Sequence, residues 1–232
     1  MTRTLLGSPV RVGVSRDDVL GQAAGAVRSR LETSSTPETN TLRPACLVVS
    51  AGATTPLVLQ RVATSWTQPW LPIVLLSDER HSTVADKRND EAVRQVLRDT
   101  PFDAVRIIAP PVDADLTDAA RTWAQAISSL PQPIVALVSM ADDGHVTGLF
   151  ADCRYESVSD SVVVTRESPK APSQRISLSA EFLRAIPHRI AVVTGPQKAR
   201  ALEALTADST TPMARLRPTE WFVDDRLAAA IR

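Results

Sequence analysis

The chain has 232 residues, 44% of them hydrophobic and 22% charged, with 26 Lys+Arg against 26 Asp+Glu. That balance gives no global field for nucleic acid or an anionic membrane, and the length allows a sizeable core in one large domain or two small ones. Cys46 and Cys153 lack metal-ligand spacing. No run approaches the roughly 20 apolar residues of a membrane span, and the opening MTRTLLGSPVRVGV turns polar too early for a secretory signal, so a soluble cytoplasmic protein is expected.

Apolar, β-branched runs recur along the chain: VRVGV (10–14), ACLVVS (45–50), PIVLLS (72–77), VRIIAP (105–110), PIVALVS (133–139), SVVVT (161–165), RIAVVTG (189–195) and WFVDD (221–225). Helical periodicity lies between many of them, at 17–31, 56–66, 89–97, 116–130 and 197–205. Strands alternating with helix-length segments predict βαβ units in a mainly parallel, doubly wound sheet flanked by helices, with a few additional strands in the C-terminal half. Residues 33–44, rich in Ser, Thr and Pro, read as a loop. No segment reads as a linker, so one α/β domain over 1–232 is expected.

Ligands of open α/β sheets sit beyond the carboxyl ends of the strands, and four strand ends carry unusual residues. In SAGATTP (50–56), Thr54 or Thr55 can cap a helix and Pro56 suits its first position. The stretch reads equally as a well-capped helix and as an anion cradle. In SDERHS (77–82), three charges near a buried strand end need a reason. Asp78 and Arg80 form a structural ion pair on one reading; on the other, Asp78 works on a substrate while Arg80 reaches an anion.

The third end is SMADDGHVTGLF (139–150), where two carboxylates, a glycine and one of three histidines follow a strand. The fourth is VVTGPQKA (192–199), in which Gly195 permits a sharp turn and Lys198 falls in a first helical turn, unfavourable to the helix dipole unless an anion binds there. A solvated lysine is the plain alternative. Together, two helix starts, two cations, a carboxylate and an Asp–Gly–His motif at one sheet edge suggest an enzyme for a small phosphorylated substrate.

These four segments resemble the 6-phosphogluconolactonase family and, more distantly, the glucosamine-6-phosphate deaminases. Gly52-Ala53-Thr54-Thr55-Pro56 matches the family's GGSTP, and Asp78-Glu79-Arg80 its DER. SMADDGHVTGLFA (139–151) aligns with GMGxDGHTASLFP, KAPSQRISLS (170–179) with KxPxxRITLT, and residues 194–199 with TGxxKA. The elements Pro-x-x-x-Leu-Arg-Pro (212–218) and Trp-Phe-Val-Asp (221–224) also fit, so order and spacing hold over nearly the whole chain. Leu149-Phe150 favours the lactonase branch, since deaminases carry Phe-Asn-Glu-Pro there.

The resemblance implies hydrolysis of 6-phospho-D-glucono-1,5-lactone in the pentose phosphate pathway, with no cofactor and no metal. His145 would be the general base, Asp143 would orient it, and Gly52, Thr54, Thr55, Arg80 and Lys198 would hold the phosphate. Arg175 would support that anion site or brace its loop, and ionised neighbours would raise the His145 pKa. The implied partner is a small phosphorylated sugar lactone, with no nucleic acid and no membrane, for a monomer or small homo-oligomer. Two other readings stand: a sugar-phosphate isomerase or deaminase with Asp78 as proton-abstracting base, and a non-catalytic sugar-phosphate binder.

Departures concentrate around the motifs. Ala53, Ser139 and Ala141 replace glycines, which predicts strain or another backbone path if those glycines had positive φ. Val146 and Gly148 replace a threonine and a serine, removing two hydroxyls beside the histidine. His81 reads as a loop histidine, His188 as a surface one, and the four tryptophans as packing residues.

Overall fold

The computed structural model describes residues 3–33 and 45–231. Strands are β1 (Thr4–Leu5), β2 (Ser8–Gly13), β3 (Cys46–Val49), β4 (Ile73–Leu76), β5 (Asp78–Arg80), β6 (Arg106–Ile108), β7 (Pro133–Val138), β8 (Glu156–Ser157), β9 (Val162–Thr165), β10 (Arg175–Leu178), β11 (His188–Val193) and β12 (Glu220–Asp224). Helices are α1 (Arg16–Thr33), α2 (Thr55–Thr64), α3 (Asn89–Leu97), α4 (Leu116–Ser128), α5 (Ala180–Ala185), α6 (Ala199–Ala207), α7 (Pro212–Leu216) and α8 (Asp225–Ala228). Of the expected 33–44 loop, Thr33 ends α1 and the remainder lies outside the described residues.

The main sheet runs in the order β1-β2-β12-β11-β7-β3-β4-β6 and is parallel except for the β1–β2 hairpin. Its strands are apolar on both faces, so alternate residues feed two cores. Leu47, Val49, Val74, Leu76, Ile190 and Val192 pack with α1, α2 and α3. Cys46, Val48, Leu75, Val138, Ala191 and Val193 pack on the opposite face, where α4 contributes Leu116 and Trp123. That second core also takes Val162, Val164, Ile176 and Leu178 from a small antiparallel sheet ordered β5-β10-β9-β8.

The two sheets meet at Ser77, which is fully buried. Its N–H donates to the Val49 carbonyl in the main sheet, and its carbonyl accepts from Leu178 in the small one. The chain therefore leaves one sheet and enters the other within a single residue, fixing Asp78 at the carboxyl edge of β4. Additional strands were expected in the C-terminal half, and β8, β9 and β10 are there. Strand β5 is not in that half, and three charged residues give no β signal of their own.

Candidate active site

The four strand ends picked out from sequence belong to β11, β7, β3 and β4, which are consecutive in the sheet. From β3 the chain adds β4 and β6 on one side, then returns to place β7 on the other. The switch point thus lies between β3 and β7, where a crevice opens beyond the strand ends. A cleft of about 370 Å³ occupies it. Gly52, Asp78, Arg80, His145, Arg175 and Lys198 line it, joined by Ser139, Thr147, Asn89 and Lys170. A larger surface hollow of about 870 Å³ near Leu6, Arg184 and Arg217 holds none of these groups.

The small sheet sorts the DER segment by its period of two. Asp78 and Arg80 face the cleft, opposite Ser177 and Arg175 in the β5–β10 register, while Glu79 opposes Ile176 and points away. Glu79 accepts hydrogen bonds from the backbone N–H groups of Arg80, Asn89 and Asp90, closing the start of α3. Burial still pushes its carboxyl up to about 7. The ion pair considered between Asp78 and Arg80 does not form among the described residues. Asp78 accepts from Ser77 Oγ at 2.8 Å and from Asn89 Nδ2 at 3.0 Å. Burial raises its pKa, against the opposing pull of Ser77, Arg175, His145 and Arg80.

Among the described residues, Arg80, Lys198 and Arg175 make no ion pair with a carboxylate. Arg80 donates to the Lys87 carbonyl, and its buried Nε has no partner. Lys198 is 9% exposed and donates only to Ser139 Oγ, at 3.0 Å. Burial and then Arg16 hold its pKa below the usual lysine value. Arg175 braces the neighbouring loop through Ser168 Oγ and the Lys170 carbonyl, and burial lowers its pKa. Three cations in one cleft without a carboxylate ion pair among the described residues have the charge to attract an anion.

Neither expected helix cap is made. Thr54 has φ −111° and ψ −48°, not the extended conformation of a side-chain cap, and its hydroxyl caps nothing. Thr55 Oγ1 instead donates back to the Ser50 carbonyl at 2.5 Å. Both threonines are buried beneath the cleft, and the loop presents Ser50, Ala51, Gly52 and Ala53 to it.

At the third end, Gly144 (φ 84°) turns the chain so that the Ala141 N–H reaches the His145 carbonyl. This brings Asp143 Oδ1 to 2.5 Å from His145 Nδ1. Lys170 Nζ lies 3.2 Å from Asp142 and 3.0 Å from Asp143, so Asp142 is a lysine anchor. Burial pushes Asp143 up, but Lys170 and His145 together hold it below the usual carboxylate value. An ionised carboxylate only accepts, so Nδ1 carries the proton and Nε2 keeps its lone pair. The Phe150 ring stacks on the imidazole at 4.4 Å. The expectation of a raised His145 pKa is corrected: burial outweighs Asp143, and the net shift is downward.

The residues standing where the family has glycines are not strained in φ. Ala53, Ser139 and Ala141 do not have positive φ, and Ser139 supplies the hydroxyl that holds Lys198. Val146 is fully buried, and a Cβ at 148 would lie 2.9 Å from Ser177 Cβ, so a side chain there would need that neighbour to shift. Sequence reasoning passed over Lys170, Asn89, Ser139 and Thr147. Lys170 had a signal, as the first residue of the KAPSQRISLS motif, and Asn89 a weaker one, as the polar start of the 89–97 helical segment. Asp224 is structural: it accepts from the Gly195 N–H at 2.6 Å, pinning the turn before Lys198 (Gly195 φ 98°), and caps α8. Among the described residues no three His, Cys, Asp or Glu gather to hold a metal ion.

The family model of glucosamine-6-phosphate isomerases/6-phosphogluconolactonase matches residues 16–226. A 6-phosphogluconolactonase of Pseudomonas putida is 31% identical over 193 residues, covering 79% of this chain and 77% of the relative. Another, from Mycobacterium leprae, is 28% identical over 231 residues, covering 89% of this chain and 93% of the relative. The solved 6-phosphogluconolactonase of Thermotoga maritima superposes with a TM-score of 0.78 at 21% identity, covering 93% of this chain and 100% of that one. On the match over residues 16–226 and the Pseudomonas putida relative, the chain belongs to the glucosamine-6-phosphate isomerase/6-phosphogluconolactonase family.

Proposed function

We propose that this protein is a lactone hydrolase that converts 6-phospho-D-glucono-1,5-lactone to 6-phosphogluconate, a step of the pentose phosphate pathway, and that residues 1–232 act as one domain. The observation that carries the reading is the joint placement of an open imidazole and unneutralised cations in one cleft. His145 is held by Asp143 at 2.5 Å, while Arg80 and Lys198 make no carboxylate ion pair among the described residues.

A lactone is an activated ester, so one positioned water and one base suffice. Arg80, Lys198 and the loop at Gly52 bind the 6-phosphate, with Thr54 and Thr55 supporting that loop from beneath. His145 Nε2 takes a proton from water as its oxygen attacks the lactone carbonyl. Asp143 fixes the tautomer and stabilises the imidazolium that forms, and Lys170 keeps Asp143 ionised. Arg175, opposite Arg80, supports the phosphate site, and Lys170 adds positive potential where charge develops on the carbonyl oxygen. Collapse of the tetrahedral intermediate expels the ring oxygen, which takes the proton back from His145. Asp78 holds the sugar hydroxyls.

The isomerase reading needs Asp78 as a free base. Its two oxygens already accept from Ser77 and Asn89, whereas no hydrogen bond among the described residues occupies His145 Nε2. That contrast favours hydrolysis. A coupled lactone assay tests it: turnover well above the spontaneous rate is expected, and turnover equal to it rejects the reading. Ammonia released from glucosamine 6-phosphate would support the isomerase reading.

A further inference from the structure

Thr147 is held in a conformation its residue type disfavours, with its side chain on the cleft. The Val146 N–H donates to the Leu149 carbonyl and the Leu149 N–H returns to Val146, closing a two-residue turn with Thr147 and Gly148 at its corners. Thr147, the first corner, has φ 54°. In two-residue turns with positive φ at the first corner alone, as here, glycine usually fills that corner. Here the glycine is second, for reasons of space: a Cβ at 148 would meet Ser177 Cβ at 2.9 Å and Asp78 Cβ at 3.3 Å. A β-branched residue with positive φ is strained by contact between its Cβ substituents and the backbone. Such strain gathers where a side chain is needed in place.

The hydroxyl has an unfilled half. Thr147 is 9% exposed, and its Oγ1 lies 3.3 Å from Ser177 Oγ. Ser177 Oγ donates its one proton to the Leu178 carbonyl at 3.0 Å, so it receives the Thr147 proton. No described residue donates to Thr147 Oγ1, and Thr147 lines the cleft. Asp78, against which this turn packs, presents carboxylate oxygens to the same cleft. An acceptor beside Asp78, whose oxygens also accept from Ser77 and Asn89, suits a hydroxyl of a polyol.

We propose that Thr147 is a specificity-determining residue whose hydroxyl oxygen accepts a hydrogen bond from one ring hydroxyl of the sugar substrate, beside Asp78. The inference rests on the lactonase reading above and adds to it a residue and a substrate feature. It also locates a hydroxyl on the catalytic turn at 147, where 146 and 148 carry none.

The test compares wild type, Thr147→Val and Thr147→Ser on 6-phosphogluconolactone and its 2-, 3- and 4-deoxy analogues. Valine keeps the β-branch and its strain but lacks the acceptor. On the full lactone, T147V is expected to lose kcat/KM by about 5- to 10-fold, mainly through KM, while T147S stays within about twofold. On one deoxy analogue, wild type and T147V are expected to become equal, an outcome a merely structural role would not produce. No loss in T147V on the full lactone, or the same loss on all four lactones, overturns the inference alone. Wild-type turnover of none of the four above the uncatalysed rate overturns the lactonase reading, and this inference with it.

Discussion

Arg80 and Arg175 stand directly opposite one another across the antiparallel β5–β10 pair, both facing the cleft. Like charges in that relation repel, and neither guanidinium makes an ion pair with a carboxylate among the described residues. An anion between them turns that repulsion into binding. Arg80→Met is expected to raise KM for the phosphorylated lactone roughly ten- to a hundredfold, the range of a lost charge-assisted hydrogen bond. Glucono-1,5-lactone, which lacks the phosphate, should be turned over equally by variant and wild type. The ligand-free variant should melt no lower than wild type, and its thermal shift with 6-phosphogluconate should shrink. A large fall in the ligand-free melting temperature would instead make Arg80 a structural residue.

The pH profile of kcat/KM follows from the depressed His145 pKa. The neutral imidazole is the active form, so activity falls as pH drops through the folded-state value, which burial holds below the usual 6.5. The acid inflection should therefore lie below 6.5. The unfolded chain binds this proton first as pH falls, so folding stability also declines over that window. Lys170 opposes protonation of His145, and Lys170→Met should move the inflection upward. An inflection that stays in place removes Lys170 from the tuning of the dyad.

Glu79 carries stability rather than chemistry. Its carboxylate closes three backbone N–H groups at the junction of β5 and α3, two of them on buried residues. Glu79→Ala should cost about 2–4 kcal/mol in denaturant unfolding, because the orphaned donors lose their only acceptor. A cost below ~1 kcal/mol would contradict that role.

Tyr155 fixes the turn behind the histidine. Its hydroxyl accepts from the Phe150 N–H at 2.6 Å and donates to the Gly148 carbonyl at 3.2 Å. Phe150 in turn stacks on His145. Tyr155→Phe should lower kcat several-fold and stability by about 1–2 kcal/mol, with KM little changed. Unaltered kcat beside reduced stability would confine Tyr155 to packing.

The main sheet was legible because its strands are short apolar runs bounded by polar turns, and each of the four marked ends closes a buried strand. Period-two burial on both faces is a local property, so 46–49, 73–76, 133–138 and 188–193 stand out in the chain itself. The small sheet pairs Arg80 with Arg175, ninety-five residues apart in sequence (175 − 80), and no local pattern carries that register. The roles within DER were hidden for the same reason. Alternation divides them only once β5 is known to be a strand, sending Glu79 to α3 and its neighbours to the cleft. Thr54 and Thr55 read as caps from residue type, yet the close Ser50 carbonyl captured the Thr55 hydroxyl. Burial of His145 comes from the Phe150 stack and the enclosing loops, so the direction of its pKa shift needed the assembled site.

The central claim is that one end of the cleft binds phosphate while the other performs hydrolysis at His145. A crystal structure with 6-phosphogluconate bound tests it most directly. The expected result places the phosphate against Arg80 and Lys198, with the C1 carboxylate within hydrogen-bond distance of His145 Nε2. A reversed ligand, or one bound outside the cleft, would contradict the account.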